Sequence, residues 1–254
     1  MSAASPQDTN TAFGPSGLKA VFAGEHAWCG EKMMLSGELE GATGLKDFFA
    51  SGAFARALDT YAADKAGADR RAVASMWSLY YFSALTIPYI VARRFHQELS
   101  VSPDTMSIAL GEDGLPRAFG LPDEGAWHEG SDDDLLSFVA PLVRDHLTPI
   151  VQQLKNQCGI APKLAWNNAA VYIDYAFNAT ARGKPSEAGN WASRALFEEQ
   201  FLPDGTLNPF RGCLRHETAR EETICRRKVC CLRYLLPGIP SCGELCALPE
   251  QRKQ

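Results

Sequence analysis

Between Ala72 and Ala92 the chain reads AVASMWSLYYFSALTIPYIVA, a run without one charged residue. Its length meets the roughly 20 residues that a membrane span requires. Its content does not. Ser75, Ser78, Ser83, Thr86 and Pro88 break the continuous aliphatic character of a span, and the run is solitary. The stretch therefore predicts a helix buried in protein, kinked or ended near Pro88.

On its N-terminal side, before the charged break Asp69-Arg70-Arg71, the segment Leu45 to Ala63 spaces its apolar residues at the helical period, so two helices are expected to pack together. On its C-terminal side, Met106 to Leu110 and Leu115 to Leu121 flank Gly111-Glu112-Asp113-Gly114, whose residues supply the positive φ that a hairpin turn wants. Acidic Ser131-Asp132-Asp133-Asp134 precedes a periodic run from Leu135 to Leu154, with Gly159 placed to stop it. Pro162 opens a further helix over Lys163 to Arg182, closed by Gly183, and Ser186 to Phe201 predicts one more, ended by Pro203-Asp204-Gly205. The expected fold class is α+β, a mainly α-helical domain with a small antiparallel hairpin sheet. Residues 1–16, rich in Ser, Pro, Thr and Asn, read as a flexible tail.

The 254 residues are 46% apolar and 22% charged, enough for a sizeable core. With 25 basic and 30 acidic side chains the formal net charge is −5, which argues against a general nucleic-acid binder. The opening MSAASPQDTNTAFGPSGL has neither a basic start nor an apolar run, so no secretory signal is read and the cytoplasm is the expected compartment. Thiols there are kept reduced, and clustered cysteines then indicate a metal or redox centre rather than disulfides. Neither a P-loop nor a G-x-G-x-x-G fingerprint occurs at a strand-to-helix elbow, so direct nicotinamide binding is not expected.

Five of the eight cysteines fall between Cys225 and Cys246. From Cys225 the chain reads CRRKVCCLRYLLPGIPSCGELCALPE: Cys230-Cys231, ten residues, Cys242, three residues, Cys246. Pro237, Gly238, Pro240 and Gly243 break any long element there, and so short a segment needs a covalent or metal staple to be ordered. Four soft thiolates suit zinc or an iron–sulfur cluster. The spacing favours [2Fe–2S], because adjacent cysteines fit poorly into the spaced knuckles of tetrahedral zinc, whereas two irons accept more varied spacings. Zinc stays open as the alternative, including at a second set in which the Cys-x2-His pair Cys213 and His216 joins Cys225 and a later thiol.

The run Arg226-Arg227-Lys228-Val229-Cys230-Cys231-Leu232-Arg233-Tyr234, continued by Cys242-Gly243-Glu244-Leu245-Cys246, resembles the C-terminal signature of ferric-siderophore reductases of the FhuF type. Leu164-Ala165-Trp166-Asn167-Asn168-Ala169 resembles a further, weaker feature of that family. The resemblance implies a [2Fe–2S] cluster on Cys230, Cys231, Cys242 and Cys246, and reduction of iron(III) held by hydroxamate siderophores in the cytoplasm. The shift to basic charge and the crowded cysteines mark residues 210–254 as a small appended cluster-binding module, after a mainly helical domain over 17–209 to which the resemblance implies siderophore binding. The family pattern has two residues between its last two cysteines where this chain has three, so Cys225 is a second candidate for the last ligand.

Such a reaction needs one electron, because hard oxygen donors favour Fe³⁺ over Fe²⁺ and reduction loosens their hold. An external electron donor, a ferredoxin or a nicotinamide-dependent reductase, is implied as partner. The segment from Arg211 to Arg233 carries seven basic against three acidic residues, and Arg226, Arg227, Lys228 and Arg233 are expected to raise the cluster potential or dock an anionic complex. Arg233 and Arg227, with Trp166 and Asn168, are the expected substrate-binding residues; Asn167 and Tyr172 could extend that wall. Two other function classes fit the same residues: a siderophore- or partner-binding protein with a structural zinc, and an iron–sulfur electron carrier without a substrate pocket.

Overall fold

The computed structural model describes residues 17–128, 135–180, 194–219 and 222–252. The expected tail, the acidic run Asp132-Asp133-Asp134 and Gly183 lie outside them. Among the described residues, helices with defined bounds are α1 (Leu18–Val21), α2 (Ala27–Gly30), α3 (Leu45–Ala50), α4 (Ala53–Ala62), α5 (Arg70–Arg94), α6 (Leu135–Pro141), α7 (Thr148–Cys158) and α8 (Pro162–Ala179). The strands are β1 (Met33–Leu35), β2 (Thr43–Gly44), β3 (Gln97–Glu98), β4 (Ser107–Leu110), β5 (Pro116–Leu121), β6 (Ala126–Trp127), β7 (Leu214–Ala219) and β8 (Glu222–Arg227). This is the expected α+β class.

Helix α5 is the axis around which the rest is built. Its start is fixed by Asp69, whose carboxylate accepts from the backbone N–H of Arg71 at 2.8 Å and of Ala72 at 3.4 Å, a standard N-cap. From Ala72 to Leu79 every side chain is buried, so the helix is apolar all round because protein surrounds it. No described helix is long and apolar enough to cross a membrane. Trp77 and Tyr81 stack at 5.3 Å between ring centroids, and Phe48, Phe49 and Phe54 of α3 and α4 pack on Trp77. The helix does not end at Pro88 but runs on to Arg94; packing on every side outweighs a proline cost of about 3 kcal/mol. Arg94 then donates to the carbonyl of Thr180, satisfying the end of α8.

The expected hairpin is β4–β5, turned by Gly111 to Gly114. Gly114 has φ +77°, and a Cβ there would lie 2.3 Å from the carbonyl oxygen of Ala57, so only glycine fits. Trp77 donates its indole N–H to the Gly114 carbonyl at 3.0 Å, which pins the turn to α5. The sheet is larger than a hairpin: β2 adds antiparallel to β4 and β1 adds parallel to β5, in the order β1-β5-β4-β2.

The single helix expected over Leu135 to Leu154 is interrupted. Between α6 and α7 residues Leu142–Leu147 form a π-helical turn. Pro141 ends α6 and Pro149 opens α7, and two residues without an N–H leave carbonyls that a wider turn accommodates. Gly159 ends α7 with φ +66°, as expected of a left-handed C-cap. Of the helix expected over Ser186 to Phe201, the described part is helical only over 194–198. Phe201 instead bridges to Leu207 across the Pro203-Asp204-Gly205 turn.

Two antiparallel strands, β7 and β8, occupy a region for which no strand was expected. The C-terminal segment is docked rather than free-standing: Phe210, Cys213, Leu214, Cys231 and Leu236 belong to the same buried core as α5 and α8.

Candidate metal centre

The thiols of Cys230, Cys231, Cys242 and Cys246 line one narrow cavity, closed by Arg233, Tyr234, Ser241 and Gln251. Local backbone geometry explains how adjacent cysteines manage this. Leu232 adopts φ +62°, a rare conformation for a branched residue. The chain doubles back there, and the Leu232 N–H donates to Cys230 Sγ at 3.3 Å. At the other end, Gly243–Leu245 forms one 3-10 turn, closed by the Cys246 N–H on the Gly243 carbonyl at 2.9 Å. That turn absorbs the third intervening residue and returns Cys246 to the cavity that Cys242 lines.

The sulfurs of Cys231 and Cys242 are 3.9 Å apart. The Cys231 thiol is held well below its usual range by the hydrogen bond from Cys242, helped by the charges of Arg227 and Arg233 against the effect of burial. Cys242 is pushed up by the same hydrogen bond and by burial, and burial raises Cys230. Thiols placed this close give up their protons when they bind a cation.

The elements behind the cavity hold it through a buried polar network. Ser75 of α5 donates to the Cys231 carbonyl at 2.7 Å. Asn168 of α8 donates to the Ser75 carbonyl and hydroxyl, both at 3.1 Å, and to the Ser78 hydroxyl at 2.9 Å. Its own carbonyl accepts from Arg227 Nη1 at 2.6 Å, while the Asn167 amide donates to the Cys213 carbonyl. Asn168 is 0% and Arg227 3% exposed, so both face inward behind the thiols and neither is open to a ligand in this conformation. Trp166 packs edge-on against Phe210.

Of the residues expected at substrate, Arg233 alone lines the thiol cavity. The Nε atoms of Arg227 and Arg233 are both buried without a hydrogen-bond partner. A buried guanidinium nitrogen without an acceptor is costly alone, and the positive charges of Arg227 and Arg233 both favour the anionic form of Cys231. The donor set and its surroundings therefore fit a group held by four thiolates. Arg226 binds the same region from outside, to Glu217 at 2.7 Å and to both the carbonyl and carboxylate of Glu244 at 2.8 Å, tying β8 to the turn that carries Cys246.

Cys225 lies elsewhere. With Trp28, Ser83, Val171, Tyr172, Asp174 and Leu245, among others, it lines a mostly apolar cavity of about 560 Å³ between α5, α8 and β8. It meets His216 and Asp174 there, not Cys213. The cavity adjoins the thiols: Leu245 precedes Cys246, and the Tyr172 phenol, raised by burial, senses the charges of Arg227 and Arg233. Trp28 and Asp174 were not legible as site residues, because nothing in their spacing sets them apart from core and surface positions.

A family model described as a ferric iron reductase FhuF-like transporter matches residues 75–224. A relative described as a ferric siderophore reductase of Escherichia coli (strain K12) is 25% identical over 183 residues, which is 69% of this chain and 66% of that protein. The chain thus spans just under two thirds of that relative's length. The matched region begins at Ser75, the residue that holds Cys231, runs through Asn168, and stops one residue short of Cys225. With well over half of the chain inside that match, from the central helix to the strand that leads into the cysteines, the chain belongs to the FhuF family.

Proposed function

We propose that this protein reduces iron(III) held in a hydroxamate siderophore and so releases iron(II), with Cys230, Cys231, Cys242 and Cys246 holding a [2Fe–2S] cluster. The observation that carries the reading is the convergence of four thiols on one cavity that Arg233 also lines, with the charges of Arg227 and Arg233 favouring the thiolate of Cys231. A four-thiolate cluster supplies one-electron chemistry at a potential set by charge and hydrogen bonding. The chain's own contributions are specific. Arg227 and Arg233 place positive charge beside the thiols and stabilise the negative charge that builds up there on reduction. The Leu232 N–H on Cys230 does the same at one sulfur. Ser75, Asn168 and Arg227 fix the loop, so little rearrangement accompanies a change of charge.

The adjoining cavity, with Trp28, Tyr172 and Tyr175 on its walls, is suited in size and apolar character to part of a siderophore. The hydroxamate class, an external donor protein and the cytoplasm as compartment belong to the same proposal. They are supported by the need for a single electron, by the lack of a nucleotide fingerprint in the sequence and by the family relationship.

The test is anaerobic. Purified protein should show sulfide-to-iron absorption in the visible, with iron and acid-labile sulfide each near two per chain. Dithionite-reduced protein should be reoxidised by ferric hydroxamates faster than by ferric citrate. A colourless, folded protein that binds zinc would replace the reading with a structural site. Reoxidation without selectivity would leave an electron carrier.

A further inference from the structure

We propose that Asp174, His216 and Cys225 form a second metal site, which binds a divalent transition-metal ion at the wall of the apolar cavity. His216 and Cys225 are directly opposed across the β7–β8 hairpin, so their side chains project from the same face of the ribbon. Asp174 of α8 meets them from the facing helix, its carboxylate 2.9 Å from His216 Nε2. The three donor atoms lie within 4.8 Å of one another. The carboxylate is enclosed, with Asp174 only 5% exposed, and the cluster presents one oxygen, one nitrogen and one sulfur within reach of a single ion.

The donor set selects the ion. One oxygen, one nitrogen and one sulfur suit iron(II), cobalt(II) or zinc(II), and disfavour magnesium or calcium, which take oxygen alone. Three protein ligands leave a tetrahedral ion one open position. Asp174 and Cys225 both line the cavity, so that position faces the space assigned above to the siderophore. Cys225 and Arg227 are two residues apart on β8, about 7 Å along one face of the strand, which places the site beside the thiol cavity. Its role rests on the reductase reading: the trio receives iron(II) as the chelate loosens, offering an imidazole and a thiolate beside one carboxylate where the siderophore offered hard oxygens alone.

The probe is cobalt(II) chloride, titrated anaerobically into the full chain as purified with its tetrad loaded. One equivalent should bind with visible d–d bands and a near-ultraviolet thiolate band. Cys225→Ser should abolish the thiolate band, and His216→Ala and Asp174→Asn should each weaken binding at least tenfold. Iron and sulfide content should be unchanged in all three. Absence of a tetrad-independent equivalent, or spectra and affinity indifferent to His216→Ala and Asp174→Asn, would overturn the proposal. Should one variant fail to fold by circular dichroism, the other two decide. Reoxidation by ferric hydroxamate is measured on the same samples. Cobalt binding without reductase activity would sink the reductase reading and leave the site, while activity without cobalt binding would do the reverse.

Discussion

Replacing Asn168 by alanine tests whether the buried network organises the thiol loop. In the native protein the Asn168 amide donates to Ser75 and Ser78, and its carbonyl accepts from Arg227. The first loss is small, because the Ser75 carbonyl keeps the Ser78 hydroxyl at 2.7 Å and the Ser75 hydroxyl keeps the Cys231 carbonyl. Re-pairing of that kind limits the neutral contribution to about 1 kcal/mol. The second loss dominates. Arg227 Nη1 retains only a long contact of 3.4 Å to the Asn167 carbonyl, and a buried charged donor so deprived costs about 1.5–3 kcal/mol. Asn168→Ala should therefore destabilise the protein by roughly 2.5–4 kcal/mol, or about 5–16 °C in melting temperature for a chain of this size. Anaerobic thermal melts of iron-loaded protein measure it, with iron content as the companion readout. A shift below about 1 kcal/mol with full iron retention would mean that Arg227 finds another acceptor and that the network does not anchor the loop.

Cys246→Ser should remove the tetrad's visible spectrum while Cys225→Ser preserves it, since only Cys246 lines the thiol cavity; iron and sulfide counts on both variants decide. Arg233→Glu puts a like charge beside the thiols and should slow ferric hydroxamate reduction at least tenfold with a lowered potential, whereas unchanged rate and potential would remove Arg233 from the mechanism. Stability should also depend on pH through His146, which lies between the Tyr81 hydroxyl at 2.7 Å and the Val101 carbonyl at 2.6 Å. Burial lowers its pKa from 6.5 to about 4, against the Val101 carbonyl. A depressed folded value means that the stabilisation is complete above pH 6.5 and is lost as pH falls through 4, by about 3 kcal/mol in all. Denaturant melts across that window should show the loss, and His146→Gln should flatten it.

The parts of the fold that were legible are those in which one local rule acts alone. The charge-free run with Asp69 before it declared α5, and Gly111 to Gly114 declared the β4–β5 turn. Legibility failed where partners are distant or elements short. Strands β1 and β2 have three and two residues, too few for alternation to show. In the β7–β8 hairpin the outward positions carry Arg215, Glu217 and Arg226, so the region read as a charge cluster rather than as strands. The cysteine tetrad was visible because its four members share a short segment. Asp174 was not, being 42 residues from its partner His216. Asn168 and Arg227 were singled out as chemically important, but the carbonyls of buried loops compete for such donors, and their placement is inward.

The hydrogen bond from Ser75 to the Cys231 carbonyl joins residues 156 positions apart. During synthesis the helix that offers this hydroxyl emerges long before the loop that accepts it, so the receiving surface is ready when the thiols arrive. On the cluster reading proposed above, maturation has a fixed order: the helical body folds first, and iron enters a segment already half anchored. A chain starved of iron should keep its helical circular dichroism and gain protease sensitivity in the thiol loop from Cys230 to Cys246.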